Sequence, residues 1–141
     1  MYGPGHIPNY STLQLEAPTG YLTGDFTVSR SYDHHTNRLV AYNNLKPIVM
    51  STPDDRRAMG VSVQPTPPHQ DTDLVMYYGS FHFPSGTHPT ATNKWNLVFR
   101  KNTFSAASTH VLTYHAYICV GSVSDVPACL KSLMDRGQNL I

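Results

Sequence analysis

Residues 109–120, THVLTYHAYICV, together with the segment that follows them, indicate the fold class. Apolar and polar side chains alternate in this stretch, a pattern typical of a β-strand. The segment that follows instead repeats apolar side chains at helical spacing, at Val126, Cys129, Leu130, Leu133 and Met134. The sequence therefore predicts a long strand that leads into a helix over residues 122–138, with its apolar stripe packed on a sheet.

Alternating segments upstream of residue 109 predict the rest of an antiparallel sheet. Residues 11–17 and 21–29 alternate on either side of Pro18-Thr19-Gly20, which predicts an amino-terminal hairpin. Further strands are predicted at residues 38–42, 59–64, 73–83 and 94–102. The predicted fold class is α+β: an amino-terminal β-hairpin, a five-stranded antiparallel sheet and a carboxy-terminal helix packed on one face.

The length of the chain, 141 residues, is that of one domain. We expect residues 1–141 to form a single domain with a flexible arm at residues 1–10, the hairpin and sheet at residues 11–120, and the helix at residues 122–138. Hydrophobic residues make up 40% of the sequence and charged residues 13%, which excludes a disordered tail and a charged coiled coil.

The charge balance sets limits on the partners. The formal net charge is +1, so the whole molecule has no strong field toward polyanions, and any nucleic-acid binding depends on local placement of charge. No apolar run approaches the roughly 20 residues of a membrane span. Residues 1–10 lack the layout of a signal peptide, so we expect a soluble protein that is not exported and has no membrane partner.

Strand alternation also predicts one core face and one open face for the sheet. Core positions are expected at Val75, Tyr77, Phe81, Phe83, Trp95 and Tyr114. The open face, opposite the helix, is expected to carry Ser62, Gln64, Tyr78, Ser80, His82 and Arg100. Such groups suit RNA, because tyrosine stacks on bases, hydroxyls and amides bond base edges, and arginine pairs with phosphate. An ordinary solvated sheet face is the alternative interpretation.

An antiparallel sheet under one short helix leaves apolar surface uncovered and edge strands unpaired. A second copy of the chain corrects both defects. We therefore predict an obligate homodimer in which edge strands pair across a two-fold axis. In this dimer the helix also packs on the partner, through Val126, Cys129, Leu130, Leu133 and Met134.

Four segments, in this order, carry a likeness to a known family. They are residues 13–44 with TGDFTV at 23–28, MGVSV at 59–63, DLVMYYGSFHFP at 73–84, and LTYHAYICVGSVSDVPACLKSLM at 112–134. Together they resemble the coat proteins of single-stranded RNA bacteriophages, the levivirus group. The resemblance implies a structural capsid protein rather than an enzyme, which dimerises and self-assembles into an icosahedral shell around genomic single-stranded RNA. It also implies a place in the virion, after assembly in the cytoplasm of a bacterial host.

The resemblance also implies which face contacts RNA. In the coat proteins the inward sheet face binds genomic RNA, including a hairpin whose recognition represses translation. The matching positions in this sequence are Ser62, Gln64, Tyr78, Ser80, His82, Thr113 and His115, and strand parity adds Arg100. A translational repressor role is therefore implied beside shell building.

Two other functions stay open at this stage. The tyrosine and tryptophan content also suits a small carbohydrate- or ligand-binding β-domain that does not assemble. His82 and His115 on one face would suit a histidine-dependent hydrolase, but no partner carboxylate is evident beside them.

Potential metal and redox residues have simpler interpretations. Cys119 and Cys129 lie ten residues apart with neither CxxC nor zinc spacing, and we interpret them as buried free thiols of a reducing compartment in preference to a disulfide. Asp33-His34-His35 is interpreted as a polar turn, because adjacent side chains of an extended segment point to opposite faces. The sequence thus predicts no metal site and no cofactor.

Overall fold

The computed structural model describes residues 13–65, 74–83, 92–101 and 113–139. These residues form a helix, a five-stranded antiparallel sheet and a three-stranded antiparallel sheet, so the predicted α+β class is confirmed at that level. The predicted arm at residues 1–10 lies outside the described residues.

The elements follow one another as eight strands and one helix within the described residues. The strands are β1 (Leu13–Thr23), β2 (Val28–Asp33), β3 (Arg38–Ala41), β4 (Ile48–Ser51), β5 (Ala58–Pro65), β6 (Leu74–Phe83), β7 (Thr92–Lys101) and β8 (Tyr114–Gly121), and the helix is α1 (Asp125–Asn139). The large sheet has the strand order β3-β2-β4-β5-β8. The small sheet has the order β1-β7-β6, and every neighbouring pair is antiparallel.

The predicted amino-terminal hairpin is wrong. β1 continues through Pro18-Thr19-Gly20 as one strand and pairs with β7, and its register shifts between Glu16 and Thr19. Proline is tolerated here because β1 is an edge strand and because the irregularity locally interrupts the hydrogen-bond ladder. The strands predicted at 73–83 and 94–102 pair with each other, and the second of them also pairs with β1, so the β-structure divides into two sheets rather than a hairpin and one sheet.

The core between the two sheets takes apolar side chains from both. It contains Ile48, Met50, Met59, Val61, Val63, Tyr78, Trp95, Leu97 and Phe99. Full burial of one large apolar side chain contributes about 1.5–3 kcal/mol, so this cluster is a principal source of stability. It also means that the small sheet covers the face of β5 that carries Met59, Val61 and Val63.

The helix α1 lies on the opposite face of the large sheet, over β5 and β8. The core on this side contains Tyr32, Val49, Ala58, Cys119, Val126, Leu130 and Met134, with Cys129 and Leu133 partly buried beside it. Gly60 allows the close approach of the helix, because a Cβ atom there would lie 2.6 Å from Cγ1 of Val126 and 2.9 Å from Cδ1 of Leu130. The helix therefore covers the face of β5 that carries its small and polar residues.

The helix begins with a reciprocal cap between Ser122 and Asp125. The backbone N–H of Asp125 donates to Oγ of Ser122 at 3.3 Å, and the Asp125 carboxylate accepts from the Ser122 N–H at 3.1 Å and from its hydroxyl at 2.8 Å. This is a capping box with aspartate in the acidic position. The bonds from Ser122 stabilise the charged carboxylate and hold the pKa of Asp125 below its ordinary value.

Cys119 and Cys129 form a disulfide, so the interpretation as free thiols is wrong. Cys119 lies on the helix side of β8 and Cys129 lies on α1 above it, with their Cα atoms 6.1 Å apart. This separation falls within the range that a disulfide spans. The sequence spacing alone could not show that the helix folds back directly over the strand that precedes it. The bond ties the helix covalently to β8.

Candidate nucleic-acid interface

The side of the small sheet that faces away from the core, here called the outer face, combines aromatic, amide and cationic side chains. Strand register places Gln14 opposite Arg100 and Tyr21 opposite Lys94 between β1 and β7. Between β6 and β7 it places Phe81 opposite Lys94. The outer face therefore carries Gln14, Tyr21, Tyr77, Phe81, Lys94, Asn96 and Arg100.

Two aromatic groups of the outer face are exposed. Tyr21 is 66% exposed and Phe81 is 45% exposed, values that are high for large apolar side chains. The Nζ atom of Lys94 lies 5.4 Å from the centre of the Phe81 ring, which is within the range of a cation–π interaction. A cation is thus held beside an open aromatic ring.

A cavity of about 380 Å³ opens on the outer face at the edge of β6. Its lining includes the side chains of Tyr42, Tyr77, Phe81, Asn96 and Arg100. Gly79 lies in the floor, where a Cβ atom would collide with the Asn96 amide and lie 2.9 Å from the Phe81 ring. Any other residue at position 79 would therefore fill the floor or displace these two side chains.

The connection between β3 and β4 forms one wall of this cavity. The hydroxyl of Tyr42 donates to the carbonyl oxygen of Tyr78, and the N–H of Tyr78 donates to the carbonyl oxygen of Asn44 at 2.7 Å. Burial raises the pKa of Tyr42, so its hydroxyl stays protonated and acts as a donor. The cavity is therefore assembled from both sheets.

This arrangement fits single-stranded nucleic acid chemically. Exposed aromatic rings stack on unpaired bases, and amide side chains bond base edges. Cationic side chains contact phosphates and supply affinity that does not depend on sequence. The outer face brings exposed aromatic rings, the exposed amide of Gln14 and two cations together within one small sheet, whereas the Asn96 amide is only 4% exposed.

Ser62 and Gln64, which were predicted on the open face, lie under the helix instead. Ser62 is fully buried, and Gln64 lies beside Tyr117 at the point where Gly137 of α1 crosses. The alternation of β5 was predicted correctly, but the helix covers the opposite face from the one expected. The physical reason is that Met59, Val61 and Val63 pack against the small sheet, which leaves the side with Gly60 for the helix.

In β6, too, the side that faces the core is the opposite of the side expected. Tyr78 is buried between the sheets, where its hydroxyl accepts a hydrogen bond from the N–H of Val63 at 2.9 Å, and burial raises its pKa. It is therefore not available to stack on a base. Tyr77 and Phe81, which were predicted in the core, lie on the outer face, whereas Trp95 is buried as predicted.

The remaining predicted residues do not converge on one site. Ser80 and His82 lie on the inner side of β6, where they bond to Ser29 of β2. Thr113 is exposed before β8, and the His115 ring stacks on Tyr117 with centroids 6.3 Å apart. Of the eight residues predicted to bind RNA, only Arg100 lies on the outer face.

The polar segment Asp33-His34-His35 ties elements together. His34 Nε2 lies 3.0 Å from the Asp135 carboxylate of α1, and Lys46 Nζ lies 3.3 Å from that of Asp33. Within the described residues no group of three or more histidine, cysteine or acidic residues could hold a metal ion. In Arg56-Arg57, the second arginine pairs with Asp25 of the same chain and lies over the Phe26 ring.

The signal for part of the outer face was present in the sequence. Alternation in residues 94–102 places Asn96 and Arg100 on one side, opposite Trp95. The contributions of Tyr42 and Asn44 have no such signal, because they depend on a connection docking on a different sheet. No helix in the described part of the chain is long and apolar enough to cross a membrane.

Comparisons of the chain with family models, with curated proteins and with solved structures found no match.

Proposed function

We propose that the protein is a self-associating structural protein of the coat type, which assembles around single-stranded RNA. One observation carries the proposal: within the described residues, β8 is an edge strand without charged side chains and with apolar side chains exposed. β8 pairs with β5 on one side, and no other strand in the described ranges pairs with its second edge. Ile118 is 53% exposed and Val120 is 79% exposed on the side away from the helix.

The composition of β8 favours association. Residues 113–121, TYHAYICVG, contain no lysine, arginine, aspartate, glutamate or proline. Proteins that remain monomeric protect exposed edge strands with such residues, because an unprotected edge pairs with another chain. The edge of β8 has none of these protective residues.

The occupant that fits this edge is a second copy of the chain. Two β8 strands pairing antiparallel across a two-fold axis would join two large sheets into one, with Ile118 and Val120 of both copies on the same surface. Each helix, which is bonded to its own β8 through the disulfide, would then lie beside the junction. The resemblance of the sequence to levivirus coat proteins supports extending this dimer to an icosahedral shell, a virion component made in a bacterial cytoplasm. Because thiols stay reduced in the cytoplasm, the disulfide would close after the particle leaves the cell.

The outer face supports RNA as the content of the shell. The net charge of the chain is only +1, so affinity for RNA depends on where cations lie; Lys94 lies over the exposed Phe81 ring, and Arg100 lines the cavity with Tyr42. The RNA-binding surface of the proposal is therefore the outer face. A hairpin that represses translation would be recognised on the same surface.

Light scattering after size exclusion and electron microscopy of the purified protein test the proposal. We expect dimers or particles that contain nuclease-protected RNA. Val120→Lys should shift the population toward monomers, because it places two like charges at the junction, while Ser124→Lys on the exposed start of α1 should not. A monomer under all assembly conditions, or unchanged association of the Val120 variant, would overturn the proposal.

The cavity on the outer face supports a second candidate, a ligand-binding β-domain without assembly. Its volume of about 380 Å³ is within the range of small-molecule sites. A glycan screen combined with the measurement of oligomeric state separates the two functions, because this candidate requires a monomer that binds a sugar.

A further inference from the structure

A chain of hydrogen bonds joins Ser29, His82 and Asn93 across β2, β6 and β7. Oγ of Ser29 lies 3.3 Å from Nε2 of His82, and Nδ1 of the same ring bonds to Oδ1 of Asn93. Asn93 is only 3% exposed, and its Nδ2 donates to the carbonyl oxygen of Thr23 at 2.8 Å. A hydroxyl, an imidazole and a group that orients the imidazole are therefore arranged in series.

This network fixes the position of the imidazole proton. A carbonyl oxygen only accepts, so the bond to Thr23 requires the NH₂ group of Asn93 to face β1 and its oxygen to face His82. The oxygen of the amide also only accepts, so Nδ1 of the neutral ring must carry the hydrogen. The lone pair of Nε2 is then directed toward the Ser29 hydroxyl, which is the arrangement that a general base requires.

We propose that Ser29 is a base-activated nucleophile that takes an acyl group from small activated esters. This reactivity goes beyond the proposed role in assembly. Ser29 Oγ forms a bond to the carbonyl carbon while its proton passes to Nε2 of His82. The bond between the carbonyl carbon and the ester oxygen then breaks, and the leaving oxygen takes the proton from Nε2, which leaves an acylated Ser29 and a free alcohol.

The neighbouring residues define the roles in this site. The hydroxyl of Ser80 lies 2.6 Å from Oγ of Ser29 and can donate to that oxygen, which leaves the Ser29 proton for Nε2 of His82. Asn93 touches only His82 and Thr23 in this network, so it is a positioning residue. Ser29 is partly buried and His82 is exposed, so small esters approach from the His82 side.

The alternative is that these bonds only connect the two sheets. In that case Ser29 would react no faster than any exposed serine. The unmutated chain contains its own reference, because Ser124 is exposed at the start of α1 and bonds to another serine hydroxyl rather than to an imidazole.

The experiment treats the full chain with 4-nitrophenyl acetate and locates the acetyl group by peptide mass spectrometry. We expect Ser29 to be acetylated at least about 100-fold faster than Ser124, the lower range of general-base assistance. Ser29→Ala should remove this fast phase and His82→Gln should slow it by a similar factor, while Ser124→Ala leaves it unchanged. Equal rates at Ser29 and Ser124 in the unmutated chain would overturn the proposal even if a variant failed to fold.

Variants at position 93 separate a positioning role from a merely structural one. Asn93→Ala should slow acetylation of Ser29, because the imidazole loses the acceptor that fixes its proton. Asn93→Asp should restore a fast rate, since a carboxylate also accepts from Nδ1–H. Equally slow acetylation in both variants, with circular dichroism unchanged, would contradict the role assigned to Asn93.

Discussion

Gly60 of β5 lies directly beneath Val126 of α1, and a Cβ atom at position 60 would lie 2.6 Å from Cγ1 of the valine. The helix can rest on the large sheet only because this position has no side chain. Gly60→Val should therefore displace the helix and lower the free energy of unfolding by about 1–3 kcal/mol, the usual cost of overpacking.

Urea denaturation followed by circular dichroism measures this effect. Ala41→Val, on the exposed end of β3, adds similar volume outside the core and should change the free energy of unfolding by less than about 0.5 kcal/mol. Equal stabilities of the two variants would mean that the helix does not press on β5.

The outer face makes a prediction about RNA affinity. Phe81→Ala should weaken binding of a single-stranded oligonucleotide by about 1–3 kcal/mol, since one stacking platform is lost. Arg100→Ala should reduce the slope of log affinity against log salt concentration by about one, the value for the loss of one phosphate contact. Fluorescence anisotropy measures both, and Lys131→Ala on the exposed side of α1 removes the same charge as a control. If Lys131→Ala weakened binding as much as Arg100→Ala, the loss of affinity would come from the change in net charge and not from a contact of Arg100.

A substitution of Tyr78 tests which face of β6 contacts RNA. Tyr78→Phe removes the hydroxyl that accepts from the Val63 N–H and should lower stability by about 1 kcal/mol or somewhat more, because the N–H stays buried. It should leave oligonucleotide affinity unchanged. A loss of affinity at full stability would restore the original assignment of this tyrosine to the RNA-binding face.

The helix cap gives the protein a defined response to acid. Bonds from Ser122 lower the pKa of Asp125 in the folded chain, so the carboxylate contributes stability above its unfolded pKa. That contribution is lost as the pH falls through the lower folded value. Asp125→Asn should therefore be less stable than the parent at about pH 6, and the difference should shrink below about pH 4. A difference that stays constant between these conditions would show that the charge of Asp125 is not involved.

The disulfide predicts a dependence of stability on reductant. Reduction of the Cys119–Cys129 bond should lower the free energy of unfolding by about 2–4 kcal/mol, since the unfolded chain regains the freedom of a closed loop. Thermal unfolding with and without dithiothreitol measures the change. The double variant Cys119→Ala with Cys129→Ala should be insensitive to the reagent, and an equal response of this variant would exclude the disulfide as the cause.

Periodicity predicted the elements better than their arrangement. The spacing from Val126 to Met134 indicated the helix, and alternation in β5, β6 and β7 indicated which residues share a side. Alternation does not show which side of a strand packs against the helix. In β5 the helix packs on the side of Gly60, the opposite of the side expected, because the small sheet covers the other side. β4 was missed because Ile48–Ser51 is buried on both faces and therefore does not alternate. β1 was split in two because Pro18-Thr19-Gly20 has the composition of a turn but lies in an irregular edge strand.

Because Tyr42 and Asn44 dock on Tyr78, the binding of a molecule in the cavity is coupled to the packing of the two sheets against each other. The wall of the cavity belongs to the large sheet and its floor to the small sheet. A molecule that fills the cavity therefore makes its full set of contacts only when the two sheets are packed together. By thermodynamic linkage, such a molecule would strengthen this packing as much as the packing strengthens its binding. A molecule bound in the cavity would therefore stabilise the packing of the two sheets against each other.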